Sequence, residues 1–156
     1  MKPVGLFVVM VALVIGSACG SAATPTAQSR QSAAVSASPG AAGTGKLDPA
    51  VSMPGGFPSD FPVYPHARLT TATQAAATGQ TTWALQWETL DTVDSVQTFY
   101  SSKLKQGDWT VAYNGSGSGG FSVIISRKSN SKDAGILTVD LESGVTHISL
   151  GMGLYH

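Results

Sequence analysis

The amino-acid sequence predicts an α+β domain: one antiparallel β-sheet of about six strands with a single helix packed on one face, in the order ββαββββ. Three observations predict it. Only one stretch repeats large apolar residues at three- and four-residue spacing, the mark of a one-sided helix. Several others alternate apolar and polar residues over 5 to 8 positions, the mark of half-buried strands. Between them stand clusters rich in Gly, Ser and Asn, the residues of turns.

In chain order, Lys2 comes first, followed by an apolar run from Val4 to Ile15 broken only by Gly5. A run of this length fits the ~7–15 residues of a secretory signal and falls short of the ~20 that span a bilayer. Gly16, Ser17 and Ala18 follow, then Cys19, the sole cysteine. This arrangement resembles a lipobox, where the signal is cut before a cysteine whose thiol carries diacylglycerol. Gly16 stands where the motif usually has Leu, so ordinary secretory cleavage is the alternative. The resemblance implies a signal peptide (signal helix) over residues 1–18, a lipidated Cys19 and two or more acyl chains, enough for stable anchoring. A single thiol cannot form an intramolecular disulfide, and lipidation accounts for its presence in an exported chain.

Residues 19–52 form the expected linker. From Gly20 to Ser52 the chain is rich in Ala, Ser, Thr, Gly and Pro, and Val35, Leu47 and Val51 are its large aliphatic residues. Such a segment buries too little apolar surface to offset its ordering entropy, so disorder is expected. A coil of this length spans roughly 30 Å. Gly40, Gly45 and Lys46 match most of a phosphate-binding loop, but Leu47 stands where the motif needs Ser or Thr. No strand precedes it and Asp48-Pro49 follows, so the reading is rejected.

The folded domain is expected over residues 53–156. Phe57-Pro58-Ser59-Asp60-Phe61-Pro62-Val63-Tyr64-Pro65 reads as an extended strap whose Phe57, Phe61 and Tyr64 cover an edge of the core, or else as a docking segment for a partner. Ala67–Ala72 and Thr81–Glu88 are strand candidates joined through Ala75–Gln80, with Trp83, Leu85 and Trp87 on one face. Thr92 is the expected helix N-cap, Asp94 lies in the first turn, and Val93, Val96, Phe99, Tyr100 and Leu104 make one apolar face. Lys103 and Lys105 close it, with Gly107 at C′. Four strands then follow. Trp109, Val111 and Tyr113 face inward on the first, and Phe121, Val123 and Ile125 on the second. Leu137, Val139 and Leu141 do so on the third, and Ile148, Leu150, Met152 and Leu154 on the last. The loops between them are 114–120, the polar 127–135 and 142–144.

Phe61-Pro62-Val63-Tyr64-Pro65, then Val96, Phe99-Tyr100, Leu104 and Gly107 ahead of Trp109, resembles a pattern in small uncharacterised bacterial lipoproteins. There a proline-rich lead-in precedes an F-Y-x-x-x-L helix closed by glycine and tryptophan. Here Asp108 separates the last two. The likeness covers Phe57 to Tyr113 and implies a fold, but no activity.

Charge and motifs narrow the function classes. Nine basic and nine acidic residues cancel. A nucleic-acid partner would require a basic face, and Arg127, Lys128 and Lys132 read as a solvated hairpin loop. His66, His147 and His156 have no metal-ligand spacing, so no metal or other cofactor is expected. Ser116 and Ser118 sit in a glycine-rich loop without a nucleophile-elbow pattern. Asp91 with Asp94 reads as helix N-terminal charge, and Asp140 with Glu142 as a wet strand face. No catalytic site is expected. Trp83, Trp87, Phe99, Tyr100 and Trp109 read as packed core, or as the lining of an apolar cavity between helix and sheet. The expectation is therefore a non-enzymatic, extracytoplasmic protein. Lipid on Cys19 would hold it to the cell membrane, or to an outer membrane in a host that has one. The domain would bind another envelope component or, alternatively, carry or sense an apolar small molecule.

Overall fold

The structure is a computed structural model that describes residues 43–156, apart from Ser118. The expected signal peptide, Cys19 and the expected linker as far as residue 42 lie outside the described residues.

The sheet contains β1 (Arg68–Ala77), β2 (Gln80–Thr89), β3 (Trp109–Gly117), β4 (Gly120–Arg127), β5 (Ala134–Glu142) and β6 (Val145–Tyr155), and the helix α1 (Val93–Gln106) connects β2 to β3. All six strands form one sheet in the order β1-β2-β6-β5-β4-β3, every pair antiparallel. The chain leaves β2, crosses on α1 to the far edge and returns strand by strand until β6 closes against β2. The two-residue turn Ser143-Gly144 has φ of 51° and 78°, the double left-handed geometry that favours tight hairpins.

Register gathers the alternating residues into rows across one face. Trp87, Ile148, Val139 and Phe121 lie opposite one another in turn, as do Leu85, Leu150, Leu137 and Val123. All eight are buried. Gly135 completes a third row between Ile125 and Met152, where a Cβ would sit 2.5 Å from the Gly151 carbonyl oxygen, so only glycine fits.

One helix cannot seal this face. Six strands at ~4.8 Å spacing are about 24 Å wide, against ~10 Å for a helix. Helix α1 packs on β3, β4 and β5 through Val96, Tyr100 and Leu104. The proline-rich strap covers the rest. Phe57 meets Trp83 and Trp87 of β2 at centroid distances of 6.1 and 6.3 Å. Phe61 packs edge-on to Trp109 at 5.5 Å and tilted against Tyr100, and Tyr64 packs edge-on to Phe99 at 5.2 Å. The strap thus bridges helix and sheet, as the core-covering reading of Phe57, Phe61 and Tyr64 expects.

Polar contacts fasten both ends of the strap. At one end Asp60 accepts a bidentate pair of hydrogen bonds from Arg127, at 2.7 and 2.8 Å. The guanidinium lies 4.6 Å over the Trp109 ring and also reaches Asp108 at 3.3 Å and Asp133 at 3.7 Å. Arg127 is therefore a hub between carboxylates rather than part of a solvated loop. Lys128 is likewise engaged, donating from Nζ to the Gly107 carbonyl at 2.6 Å. That bond satisfies a helix-end carbonyl, and Gly107 takes extended backbone (φ −102°, ψ −155°) instead of the left-handed C′ form.

Other elements depart from the sequence reading. β1 runs on through Ala75–Ala77, and the turn shrinks to Thr78-Gly79, because register with β2 overrides the weak strand preference of alanine. β3 extends through Asn114–Gly117 for the same reason, pairing as far as Gly120. Leu141, expected inside, is 54% exposed, since it lies at the strand end where no cover reaches. Residues 43–52, assigned by composition to the linker, hold no helix or strand but are fixed to the domain. Gly43 and Gly45 donate to the carbonyls of Leu90 and Gly144, Asp48 to the Glu88 carboxylate, and Val51 to the Leu69 carbonyl. Backbone bonding needs no apolar side chain, so composition could not reveal it. A Cβ on Gly45 would lie 2.3 Å from a Val145 methyl, so this glycine of the rejected phosphate-loop pattern serves close packing.

Phe61 is 3% exposed between three aromatic neighbours. Phe61→Ala is expected to cost about 3–5 kcal/mol in urea unfolding. Deleting residues 43–52 removes the Asp48 amide from the buried Glu88 carboxylate. The deletion should lower stability by about 1–3 kcal/mol while leaving the near-ultraviolet circular dichroism of the tryptophans in place.

Candidate functional site

At one end of the sheet, the start of α1 faces the β3–β4 and β5–β6 turns across a cleft of about 430 Å³. Leu90, Val93 and Leu141 give it an apolar floor, Gly117, Gly119 and Gly120 form a backbone wall, and Gly43 and Thr44 close a third side. Asp91 and Asp94 line it, and among the described residues no basic side chain does. Several short or absent side chains leave the space open. The volume falls in the ~300–1,000 Å³ range of small-ligand sites.

Asp91 is the fixed point of this end. Its amide donates to Thr89 Oγ1 at 3.2 Å, and its carbonyl accepts from Thr146 Oγ1 at 2.7 Å. Its carboxylate Oδ2 accepts from the Tyr64 hydroxyl at 2.8 Å and pairs with His66 Nδ1 at 2.9 Å. Thus Asp91 does more than place charge at a helix terminus: it anchors the second end of the strap. Burial, and then the hydrogen bond to the Asp91 carboxylate, push the Tyr64 phenol up to about 12. Thr92 caps the helix, its Oγ1 accepting from the Ser95 amide at 3.3 Å. Asp94 and Gln97 lie one turn apart on the cleft side of α1.

The structure disperses the histidines. His66 sits with Asp91, His147 lies 2.9 Å from Gln86 Nε2 and 3.7 Å from Glu88, and His156 is 3.0 Å from Thr81 Oγ1. Among the described residues no group of three or more His, Cys, Asp or Glu could hold a metal. Ser116 lines the cleft, while Ser118 lies outside the described residues. Asp140 and Glu142 are exposed.

Sequence pattern had no signal for Glu88. Alternation places it on the solvent face of β2, yet it is 3% exposed because residues 43–51 pass over it. Besides the Asp48 amide, Thr70 Oγ1 donates to it at 3.4 Å.

The five aromatic residues first considered as core or cavity lining are placed inside. Trp83, Trp87, Tyr100 and Trp109 are 1–3% exposed and Phe99 is partly buried. The cleft is built from other residues. Trp83 Nε1 and Trp109 Nε1 are buried without a hydrogen-bond partner among the described residues, and burial drives the Tyr100 phenol, which has the Tyr64 backbone beside it, far above its ordinary range. Each such atom costs on the order of 1–3 kcal/mol, opposed by the aromatic packing around it.

Compared with protein families, curated proteins and solved structures, the chain matches none.

The raised Tyr64 value gives a signed pH dependence. A phenol whose folded value lies above its ordinary 10.0 adds stability that is complete below pH 10 and lost as pH rises through about 12. In an alkaline titration followed by phenolate absorbance, Tyr64→Phe should remove a late-titrating group and flatten the loss of stability over that window. If the group lost in Tyr64→Phe titrates near 10 instead, the burial of Tyr64 and its bond to Asp91 would both be contradicted.

Proposed function

We propose that the chain is a lipid-anchored, non-catalytic binding module of the cell envelope, held by Cys19 and meeting its partner at the cleft beside the start of α1. The observation that carries this reading is the distribution of space. The interior between helix and sheet is filled by Phe57, Phe61 and Tyr64, while a cleft of ligand size opens at the surface between the helix start and two turns. A surface cleft with a half-exposed Leu141, a glycine wall and two carboxylates suits contact with an envelope component. The alternative, a carrier or sensor of an apolar molecule held by Trp83, Trp87 and Phe99, would require the strap aromatics to vacate the places they occupy.

Two measurements test the proposal. Cys19→Ala should move the protein from the membrane fraction to the soluble one; a variant that still sediments with membranes would overturn the anchor. A photo-crosslinking residue at Leu141 or Gln97 should capture one discrete adduct in the native envelope, whereas the same residue at exposed Thr98 should not. Failure at both cleft positions, together with a bound small molecule in the native mass spectrum, would replace the module reading with the carrier one.

A further inference from the structure

Edge strands present a row of unpaired N–H and C=O groups, usually blunted by charge, proline, a bulge or a covering element. The sheet has two edges, β1 and β3. β3 is broken by a bulge between Tyr113 and Gly115, while α1 packs on its inner face. β1 is blunted only at its start. Its bulge lies between Leu69 and Thr71, and there the Val51 amide already donates to the Leu69 carbonyl.

Beyond that point none of the usual devices is present among the described residues. Thr71–Ala77 contains no charged residue and no proline, and keeps unbroken register with β2 as far as Gln80. On its outer side it makes no backbone hydrogen bond among the described residues. A second observation is independent of the edge itself. Gln74, Ala75, Ala76 and Ala77 alternate between the two faces of the sheet, yet all four are exposed. Neither face is covered by the described residues, and alanine has little strand preference of its own. The ladder to β2, with one bond from Thr82 Oγ1 to the Ala75 carbonyl at 3.3 Å, holds this half-strand extended.

We infer that β1 is a self-association edge: two copies of this chain pair antiparallel along Thr71–Ala77 and merge their sheets. A partner for this edge must offer an extended, uncharged segment of matching length, and the chain's own β1 meets that requirement. A twofold axis sets the same strand against itself, so Thr, Gln and Ala face one another and no like charges meet. A charged partner strand would find no complementary charge. A few paired residues bury less than the ~800 Å² per partner of a standard interface. The dimer is therefore reversible and favoured where copies are crowded.

Single cysteines at Gln74, Ala75 and Ala76 test this in the full chain, in whichever cell fraction holds it, under mild oxidation. Ala112→Cys, exposed on the opposite edge strand, is the control, and the unmodified chain gives the background from Cys19. Covalent dimer is expected chiefly from Gln74→Cys, the midpoint of Thr71–Ala77 and so the residue the twofold axis sets against itself, and not from Ala112→Cys. Adding Thr73→Lys and Ala75→Lys to the Gln74→Cys chain, positions that this pairing sets opposite one another, should lower the dimer yield by roughly fivefold through like-charge opposition. Unchanged tryptophan circular dichroism would show that fold is retained. No dimer from β1, equal dimer from Ala112→Cys, or a yield indifferent to the lysines would each overturn the inference. So would amide exchange over Thr71–Ala77 that is slow at every concentration, since that result would mean the chain's own upstream segment covers the edge.

Discussion

A sheet about 24 Å wide cannot be closed by one helix about 10 Å across, and the rest of the structure follows from that mismatch. Helix α1 serves β3, β4 and β5, leaving Trp83 and Trp87 of β2 without cover. An extended strap is an economical remedy. Proline fixes φ near −65° and lowers the entropy lost on ordering, while large side chains between the prolines supply the buried area. Phe57, Phe61 and Tyr64 each touch a different part of the layer beneath, so the strap ties β2, β3 and α1 together.

A strap with a single turn bond of its own, from the Phe61 amide to the Pro58 carbonyl at 3.2 Å, must be fastened from outside. Arg127 holds Asp60 with a bidentate pair, and its ring contact with Trp109 joins that fastening to the aromatic layer. Asp91 holds Tyr64 and His66 while its own backbone is fixed by Thr89 and Thr146. Because Asp91 also lines the cleft, the residue that closes the core shapes the open site beside it. Residues 43–51 pass over Glu88 on the opposite face, so both faces of β2 are partly covered by segments lying N-terminal to the sheet.

The fold was legible where one side-chain property repeated along the chain. Trp83, Leu85 and Trp87 alternate because β2 has one dry face, and Val96, Tyr100 and Leu104 recur because α1 has one. Legibility failed where backbone pairing acted without side-chain support. Ala75–Ala77 and Asn114–Gly117 read as loop but lie in strands, and Gly43–Ser52 reads as linker but is bound to the domain. The cleft was less legible than the fold. Leu90, Val93 and Asp94 lie together at the start of α1, but Gly119, Leu141 and Gly144 come from two distant turns, and nothing in the spacing of either group predicts its nearness to the other.

The sequence by itself determined the α+β class, the ββαββββ order and most of the inward-facing residues, Leu141 excepted, because periodicity and turn chemistry are local properties of the chain. It also carried the strap, since proline and aromatic residues alternate within nine positions, Phe57 to Pro65. Only the tertiary structure decided that β6 returns to lie beside β2, that Arg127 meets three carboxylates, that Glu88 is buried, and where the open space lies. Those outcomes rest on contacts between residues far apart in sequence, and such contacts exist only once the sheet has set its register.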